Sequence, residues 1–138
     1  MNRGELLSYM RAHRLAVIAT AGANGPQGAL VGIAATDDLQ IVFDTASDSR
    51  KHANLVRDPR IAVTFSGPAE QTLQYEGRAS PVSVSGVADS IYREAYYLAW
   101  PDGRDRLKWP NIAYWRIVPC WARFSDFDRG PLIAEFEF

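Results

Sequence analysis

A short tract in the first half of the sequence concentrates side chains that bind anions. Thr45, Ser47 and Ser49 carry hydroxyl groups, and the adjacent cations Arg50 and Lys51 follow at the expected start of a helix. The first amides of a helix lack intrahelical partners, and cations placed there oppose the helix dipole. A bound anion would reverse that unfavourable sign, because the amides and both cations would direct positive charge at it. The tract therefore predicts an anion site; the alternative is a serine cap with two solvated cations.

Other residue types that often carry chemistry are sparse in this chain. His13 and His52 lie far apart and lack the spacing of a helical zinc pair, so we predict no metal site. Cys120 is the only cysteine, which excludes an intrachain disulfide and is typical of the reducing cytoplasm. Its position beside Pro119 in an apolar run predicts a small buried hydrophobe. The carboxylates that lack a paired partner, which we interpret as strand-surface charges, are Glu76, Asp126 and Asp128.

Hydrophobic spacing predicts the elements that precede the tract. Asn2 and Glu5 form a capping-box pattern before helically spaced apolar residues, which predicts a short N-terminal helix. Two apolar runs, at 15–20 and 29–34, flank Asn24-Gly25, a dipeptide that tolerates the positive φ of a tight turn. The chain is therefore expected to begin with a helix and a β-hairpin.

Two further helices are predicted. The first follows the segment that contains Thr45, Ser47 and Ser49, which we call the hydroxyl tract. It ends at Asp58-Pro59, because a proline pushes the preceding residue out of the helical conformation. Its apolar residues, expected to face the core, are Ala53, Leu55 and Val56. The second helix covers 87–100 and ends at a Pro-Asp-Gly turn. Its apolar residues at helical spacing are Ile91, Ala95 and Leu98.

Strands account for most of the remaining sequence. Alternating or β-branched runs predict them at 39–43, 61–66, 73–79, 112–125 and 133–138. With the hairpin, this makes a sheet of six or seven strands in a short chain, and such a sheet must cover its edges. We therefore expect a mainly β fold, a closed or nearly closed antiparallel barrel with short connecting helices.

The composition is typical of a single globular domain covering residues 1–138. Of the 138 residues, 47% are apolar and 22% are charged, which excludes disordered and coiled-coil classes. The net charge of −1 gives no basic footprint for nonspecific nucleic-acid binding. No run of about 18 apolar residues occurs, which argues against a membrane span. We expect a cytoplasmic protein with no nucleic-acid or membrane partner.

The order of these motifs resembles the pyridoxamine 5′-phosphate oxidase-like FMN-binding split-barrel family. The most specific match is the hydroxyl tract followed by Arg50-Lys51 in its strand-to-helix setting. The other matching motifs are Asn54-Leu55, Asp58-Pro59-Arg60 and Glu76-Gly77-Arg78-Ala79. The resemblance implies a split β-barrel that binds FMN. It also implies which residues hold the FMN phosphate: Thr45, Ser49, Arg50 and Lys51.

The same resemblance implies where the flavin ring lies. In this family the ring follows the second strand at a dimer interface, which here corresponds to Ala29, Leu30, Val31 and Gly32. Gln71 falls near the position from which a family glutamine approaches the ring, one residue out of register when the later glycine is the anchor. The family therefore implies a homodimer with cofactor sites at its interface. Of the aromatic residues, we expect Trp109 and Trp115 to contact the cofactor.

The chain departs from true pyridoxamine 5′-phosphate oxidases at several matched positions. Ala29 and Ala34 stand where those enzymes carry an Arg and a Lys on the second strand. Ser125 stands where they carry a Trp, and no histidine follows His52, so their Arg-Leu-His-Asp-Arg tract for substrate is missing. These differences argue against oxidation of vitamin B6 phosphates.

Three functional hypotheses follow from the residues and the resemblance. The first is an FMN-dependent oxidoreductase acting on a small organic molecule, with the redox chemistry supplied by the flavin. The second is a protein that binds FMN, a deazaflavin or haem without turnover. The third is a cofactor-free protein on the same fold, since a fold does not fix a function.

Overall fold

Eight strands and four helices make up the computed structural model, which describes residues 1–128 and 130–138. The helices are α1 (Arg3–Ala12), α2 (Arg50–Arg57), α3 (Ser90–Ala99) and α4 (Gly103–Arg106), with a 3-10 turn at Val87–Asp89. The strands are β1 (Leu15–Gly22), β2 (Gly25–Gly32), β3 (Ala34–Ala35), β4 (Ile41–Ala46), β5 (Arg60–Ser66), β6 (Gln71–Val82), β7 (Ile112–Asp126) and β8 (Leu132–Glu137). Within the described residues, none of the helices is long and apolar enough to cross a membrane.

All strands pair antiparallel in one sheet with the order β2-β1-β5-β6-β7-β4-β3, and β8 pairs with β7. The two ends of this order, β2 and β3, are separated along the chain only by Ile33. The sheet therefore curls until its first and last strands are neighbours, as in a split barrel. The fold class predicted from the sequence is confirmed, although the two-residue strand β3 raises the strand count to eight.

The N-terminal helix forms as its capping-box pattern predicts. The amide of Glu5 donates to Asn2 Oδ1 at 2.9 Å, and the amide of Asn2 donates to Glu5 Oε2 at 2.7 Å. The helix buries Leu6, Tyr9 and Met10 in the main apolar core of the barrel. The helix is therefore held at its N-terminus by local hydrogen bonds and along one face by burial.

The predicted hairpin is confirmed, with different bounds for its second strand. Strands β1 and β2 pair over their full lengths, from Leu15 opposite Gly32 to Gly22 opposite Gly25. The positive φ of the turn falls on Gly25, at 131°. In the described sheet β2 pairs only with β1, so its other edge stays available.

A β-bulge in β7 corrects the prediction for Cys120. Gly77 of β6 lies opposite Pro119 and Glu76 lies opposite Trp121, which leaves Cys120 as the extra residue. Cys120 is exposed, and its thiol donates to the Glu76 carbonyl at 3.3 Å. The prediction of a buried cysteine is wrong because the bulge shifts the alternation of inward and outward side chains by one residue.

The outer helix α3 packs on the barrel through tyrosines. Tyr96 and Tyr97 are buried and meet Tyr114 of β7 in edge-to-face contacts. Ile91 and Leu98, whose spacing predicted the helix, are instead 68% and 87% exposed. The tyrosines occupy the inner face because their rings bury more apolar area than aliphatic side chains do.

In helix α2 too, the buried residues differ from those predicted to face the core. Of its predicted inward residues only Leu55 is buried, whereas Ala53 is exposed and Val56 is 69% exposed. The helix is short, so a single apolar position and the buried Asn54 are enough to seat it against β1.

Candidate functional site

A cavity of about 260 Å³ opens between the start of α2 and strands β1 and β2. Arg50 and Lys51 line it from the helix, and Gly28 and Ala29 line it from β2. Its other lining residues are Ile18, Thr20 and Gln27. The structure thus brings the two cations that follow the hydroxyl tract next to β2, the strand that the resemblance assigned to the flavin ring.

The hydroxyl groups of Thr45 and Ser49 lie at the same helix start. Ser49 is the N-cap of α2, and its Oγ accepts the amide of His52 at 3.2 Å. The same Oγ lies 2.9 Å from Thr45 Oγ1, in a hydrogen bond between the two hydroxyls. The serine cap considered from the sequence is therefore present. The cap does not use the full hydrogen-bonding capacity of the two hydroxyls, because each hydroxyl has one donor and two acceptor positions.

Arg50 and Lys51 lack a counter-ion in the part of the chain that the structure describes. Neither forms a salt bridge there, and the first turn of α2 carries no acidic residue. The Arg50 guanidinium contacts the carboxamide of Gln27, which also meets the amide of Asn54. Asn54 is buried and donates to Thr20 Oγ1 at 3.0 Å, which anchors the helix on β1. The cavity therefore carries uncompensated positive charge on a firmly seated helix, as an anion site requires.

The residues of β2 alternate between the barrel and the outer surface. Ala29 and Val31 pack against the core, whereas Leu30 is 67% exposed. A Cβ on Gly32 would lie 2.9 Å from the Trp100 indole, so this glycine makes room for Trp100. The open stretch of β2 thus runs from the Arg50 cavity to the Trp100 ring.

Trp100 is the aromatic residue that packs on β2, and the sequence did not single it out. Its Nε1 donates to the Ile33 carbonyl at 2.9 Å, which fixes the indole at the end of β2. Trp109 is 54% exposed, and Trp115 is buried with its Nε1 donating to His52 Nδ1 at 3.1 Å. The only sequence signal for Trp100 is its place at the end of α3, which does not reveal which strand it meets.

Gln71 lies away from the Arg50 cavity of its own chain. It begins β6, and its Nε2 donates to Asp126 Oδ2 at 3.0 Å. The interpretation of Asp126 as a surface charge is wrong, because this carboxylate is only 7% exposed. Helix α1 covers this end of the barrel through Tyr9, which packs edge-on against Phe124. Burial, with the nearby Asp126 charge, raises the pKa of Tyr9.

A partly buried ion pair ties β4, the strand that leads into the hydroxyl tract, to α3 and α4. Arg106 Nε donates to Asp44 Oδ2 at 2.7 Å, and the Tyr96 hydroxyl donates to Asp44 Oδ1 at 3.0 Å. Burial opposes the charge on Arg106, but its hydrogen bonds to Asp44 and Asp102 outweigh burial and raise the pKa. Burial and then the Asp44 charge raise the pKa of Tyr96, so its hydroxyl stays protonated. The cluster fixes β4 directly before Thr45.

These features define an antiparallel split barrel with a cationic cavity beside an edge strand. The chain belongs to the pyridoxamine 5′-phosphate oxidase family, whose sequence model matches residues 3–125. The family that the sequence motifs indicated is therefore confirmed.

Two curated relatives carry the description pyridoxine/pyridoxamine 5′-phosphate oxidase. The protein from Kineococcus radiotolerans is 35% identical over 89 residues, which is 62% of this chain and 36% of that protein. The protein from Alkalilimnicola ehrlichii is 30% identical over 126 residues, which is 86% of this chain and 64% of that protein. The chain thus spans about a third and just under two thirds of the lengths of these relatives.

Solved structures of the same fold differ in what they bind. An FMN-binding protein related to pyridoxamine 5′-phosphate oxidase, from Nostoc punctiforme, has a TM-score of 0.72 and 14% identity, covering 99% of this chain and 96% of that chain. A haem-binding protein from Mycobacterium smegmatis has a TM-score of 0.82 and 15% identity, covering 99% and 58%. At these identities the likeness establishes the fold and leaves the ligand open.

Proposed function

We propose that this protein binds FMN and transfers a hydride or electrons between it and a small organic molecule. The observation that carries the proposal is the cavity at the start of α2, where Arg50 and Lys51 have no counter-ion among the described residues. A phosphate group suits this cavity, because it accepts several N–H donors at once and is favoured by the helix dipole. Family membership supports the same cofactor.

The flavin ring would lie along β2 from Ala29 to Gly32. Leu30 and Val17 are paired across β2 and β1 and are 67% and 44% exposed, which offers an apolar surface to a planar ring. Bound FMN would supply the redox chemistry. The residues of the chain would hold the phosphate, orient the ring along the strand and exclude water from one of its faces.

We further propose a homodimer in which the second copy completes each site. Gln71 lies on β6, which the sheet order separates from β2 by β1 and β5, and its side chain donates to Asp126, so we assign its predicted contact with the ring to the partner copy. Ala29 lines the cavity where true pyridoxamine 5′-phosphate oxidases carry a charged side chain, which supports a different organic substrate. Binding without turnover is the second candidate, since a haem-binding protein shares this fold. The visible spectrum of the purified protein distinguishes flavin, deazaflavin and haem.

The proposed grip on phosphate is tested by comparing FMN with riboflavin. Charge-assisted hydrogen bonds are worth about 1.5–3 kcal/mol each, so loss of the phosphate should weaken binding at least about tenfold. Fluorescence titration of the apoprotein with each flavin measures the ratio. Equal affinity for the two flavins would falsify the assignment of the cavity to phosphate.

Substitution of the two cations tests phosphate binding by changing the protein instead of the ligand. Arg50→Ala should cost more FMN affinity than Lys51→Ala, because a planar guanidinium can engage two phosphate oxygens and an ammonium cannot. Lys108→Ala, which removes an exposed cation outside the cavity, is the matched control and should leave affinity unchanged. Wild-type affinity in both cavity variants, with a lower melting temperature only, would support the cap alternative.

A further inference from the structure

Gln27 is the polar side chain that strand β2 contributes to the Arg50 cavity. Three residues of β2 line the cavity, and the other two are Gly28 and Ala29. Gln27 lies directly opposite Thr20 of β1, which also lines the cavity. It shares its face of β2 with Ala29, because alternate residues of a strand point the same way. The hydrogen bonds that Gln27 makes therefore bear on what the cavity binds.

The carboxamide of Gln27 lies between two nitrogen groups that only donate hydrogen bonds. One of its terminal atoms is 2.5 Å from Asn54 Nδ2, and the other is 2.9 Å from Arg50 Nε. A carboxamide has a single oxygen, so only one of these two donors finds an acceptor in Gln27. Whichever way the carboxamide is turned, its NH2 group faces another donor.

The surroundings of Asn54 fix the orientation of Gln27. Arg57 Nη2 lies 3.4 Å from one terminal atom of the Asn54 carboxamide, and this atom is the oxygen because a guanidinium only donates. The nitrogen of Asn54 therefore faces Gln27. Asn54 is 5% exposed, whereas Arg50 is exposed to solvent. A buried donor without an acceptor costs more free energy than an exposed one, because water satisfies the exposed donor. The oxygen of Gln27 thus accepts from Asn54, and its NH2 faces Arg50.

In this orientation the cavity has hydrogen-bond donors on both of its walls. The NH2 of Gln27 belongs to β2, and the guanidinium of Arg50 and the ammonium of Lys51 belong to α2. The residues that line the cavity include no carboxylate. An acceptor placed between the two walls would remove the repulsion between these donors. An oxyanion suits this position, because each of its oxygens can accept from a different donor.

We propose that Gln27 is a further phosphate ligand, whose NH2 donates to an oxygen of the FMN phosphate while its own oxygen accepts from Asn54. The inference rests on the proposed function, because it takes the anion in the cavity to be the flavin phosphate. Gln27 adds a hydrogen bond without adding charge, so two cations and one neutral amide hold the phosphate. The same carboxamide connects the bound phosphate to Asn54, the buried residue that anchors α2 on β1.

Two substitutions of Gln27 test this role. Gln27→Met removes the NH2 and should weaken FMN binding about tenfold with riboflavin affinity unchanged, because a hydrogen bond to a charged group is lost. Gln27→Glu keeps an oxygen for Asn54 but places an acceptor opposite Arg50. It should raise the melting temperature of the apoprotein, because the new carboxylate pairs with Arg50. It should also weaken FMN binding more than Gln27→Met does, because the carboxylate repels the phosphate.

Gln74→Glu is the matched control for the change of charge. Gln74 is exposed on β6 and does not line the Arg50 cavity, so this variant should bind both flavins with wild-type affinity. Fluorescence titration with FMN and riboflavin gives the affinities, and thermal unfolding of the apoprotein gives the melting temperatures.

Nuclear magnetic resonance of the Gln27 amide provides a direct readout. The side-chain NH2 signals of Gln27, assigned with Gln27→Met, should shift on addition of FMN and shift much less with riboflavin, which lacks the phosphate. Equal shifts with the two flavins, or a preference for FMN that Gln27→Met retains in full, overturns the role of Gln27 and leaves the phosphate site of Arg50 intact. A lower apoprotein melting temperature in Gln27→Glu overturns the assigned orientation. Equal affinity of the wild-type protein for FMN and riboflavin refutes the proposed function, and the role of Gln27 with it.

Discussion

The two histidines have opposite hydrogen-bonding roles, each fixed by one neighbour. The indole N–H of Trp115 can only donate, so His52 accepts through Nδ1 and carries its hydrogen on Nε2. His13 donates through Nδ1 to a backbone carbonyl, which leaves its Nε2 as the acceptor. His52 therefore braces the start of α2 against β7, whereas His13 keeps a basic nitrogen free of its own backbone contact. The same residue type thus accepts through Nδ1 at one site and donates through Nδ1 at the other.

Among the partly exposed charged residues, Asp44 is the one whose loss we expect to lower the free energy of unfolding most. Its side chain is 12% exposed and that of its partner Arg106 is 20% exposed. Asp44→Ala should cost about 3 kcal/mol, because it leaves the Arg106 charge partly buried and the Tyr96 hydroxyl without its acceptor. Chemical denaturation at neutral pH measures the change in the free energy of unfolding.

Asp102 provides the matched control for this prediction. It pairs with the same guanidinium at 2.8 Å, but its side chain is 64% exposed. Exposed pairs contribute little, so Asp102→Ala should cost less than about 1 kcal/mol. Similar losses of unfolding free energy in the two variants would contradict the view that burial makes the Asp44–Arg106 pair the more stabilising one.

At the scale of elements, the bulge opposite Gly77 decides the course of β6 and β7. A Cβ on Gly77 would lie 2.3 Å from the Val118 carbonyl oxygen, a backbone atom that cannot move aside as a flexible side chain can. Gly77→Ala should therefore destabilise the protein by about 3 kcal/mol. The free energy of unfolding from denaturant titration tests this.

Gly28→Ala is the comparison within the same sheet. Its added Cβ would meet only ordinary contacts, the nearest being Val17 Cγ1 at 3.7 Å. We expect a change within about 0.5 kcal/mol, as for other exposed positions. If Gly77→Ala were equally mild, the bulge would have to be more adaptable than its close backbone contact indicates.

In the molecule as a whole, two exposed apolar surfaces are candidates for the interface of the proposed homodimer. One is the outer face of β1–β2, with Leu15, Val17 and Leu30 at 56%, 44% and 67% exposure. The other is the outer face of α3, with Ile91 and Leu98. The proposed shared cofactor site favours the first surface, because the flavin ring is proposed to lie along β2.

Charge substitution distinguishes these surfaces. Leu30→Glu should shift the protein from dimer to monomer, whereas Leu98→Glu, at a position that is 87% exposed, should leave the dimer intact. If FMN binds at the dimer interface, adding it must lower the dimer dissociation constant. Sedimentation equilibrium with and without FMN measures both effects. Dissociation by Leu98→Glu alone, or a monomer that binds FMN stoichiometrically, would contradict this arrangement.

Features that depend on neighbours close along the chain could be predicted from the sequence. The capping box at Asn2 and Glu5 joins residues three apart, the hairpin follows from two apolar runs around a turn, and the barrel class follows from strand alternation. The motif around Arg50-Lys51 likewise indicated the family, because its hydroxyls and cations are adjacent in sequence. All of these signals have a period or spacing that a linear chain displays directly.

The contacts between side chains of different elements could not be predicted in this way, because they depend on how the chain folds. The exposure of Cys120 depends on a register shift between β6 and β7, and the burial of Asp126 depends on α1 covering the end of the barrel. The inward face of α3 was set by tyrosines that fit against Tyr114, and Trp100 reached β2 because Gly32 leaves space for its indole. Each outcome joins residues tens of positions apart, and local spacing carries no information about such pairings.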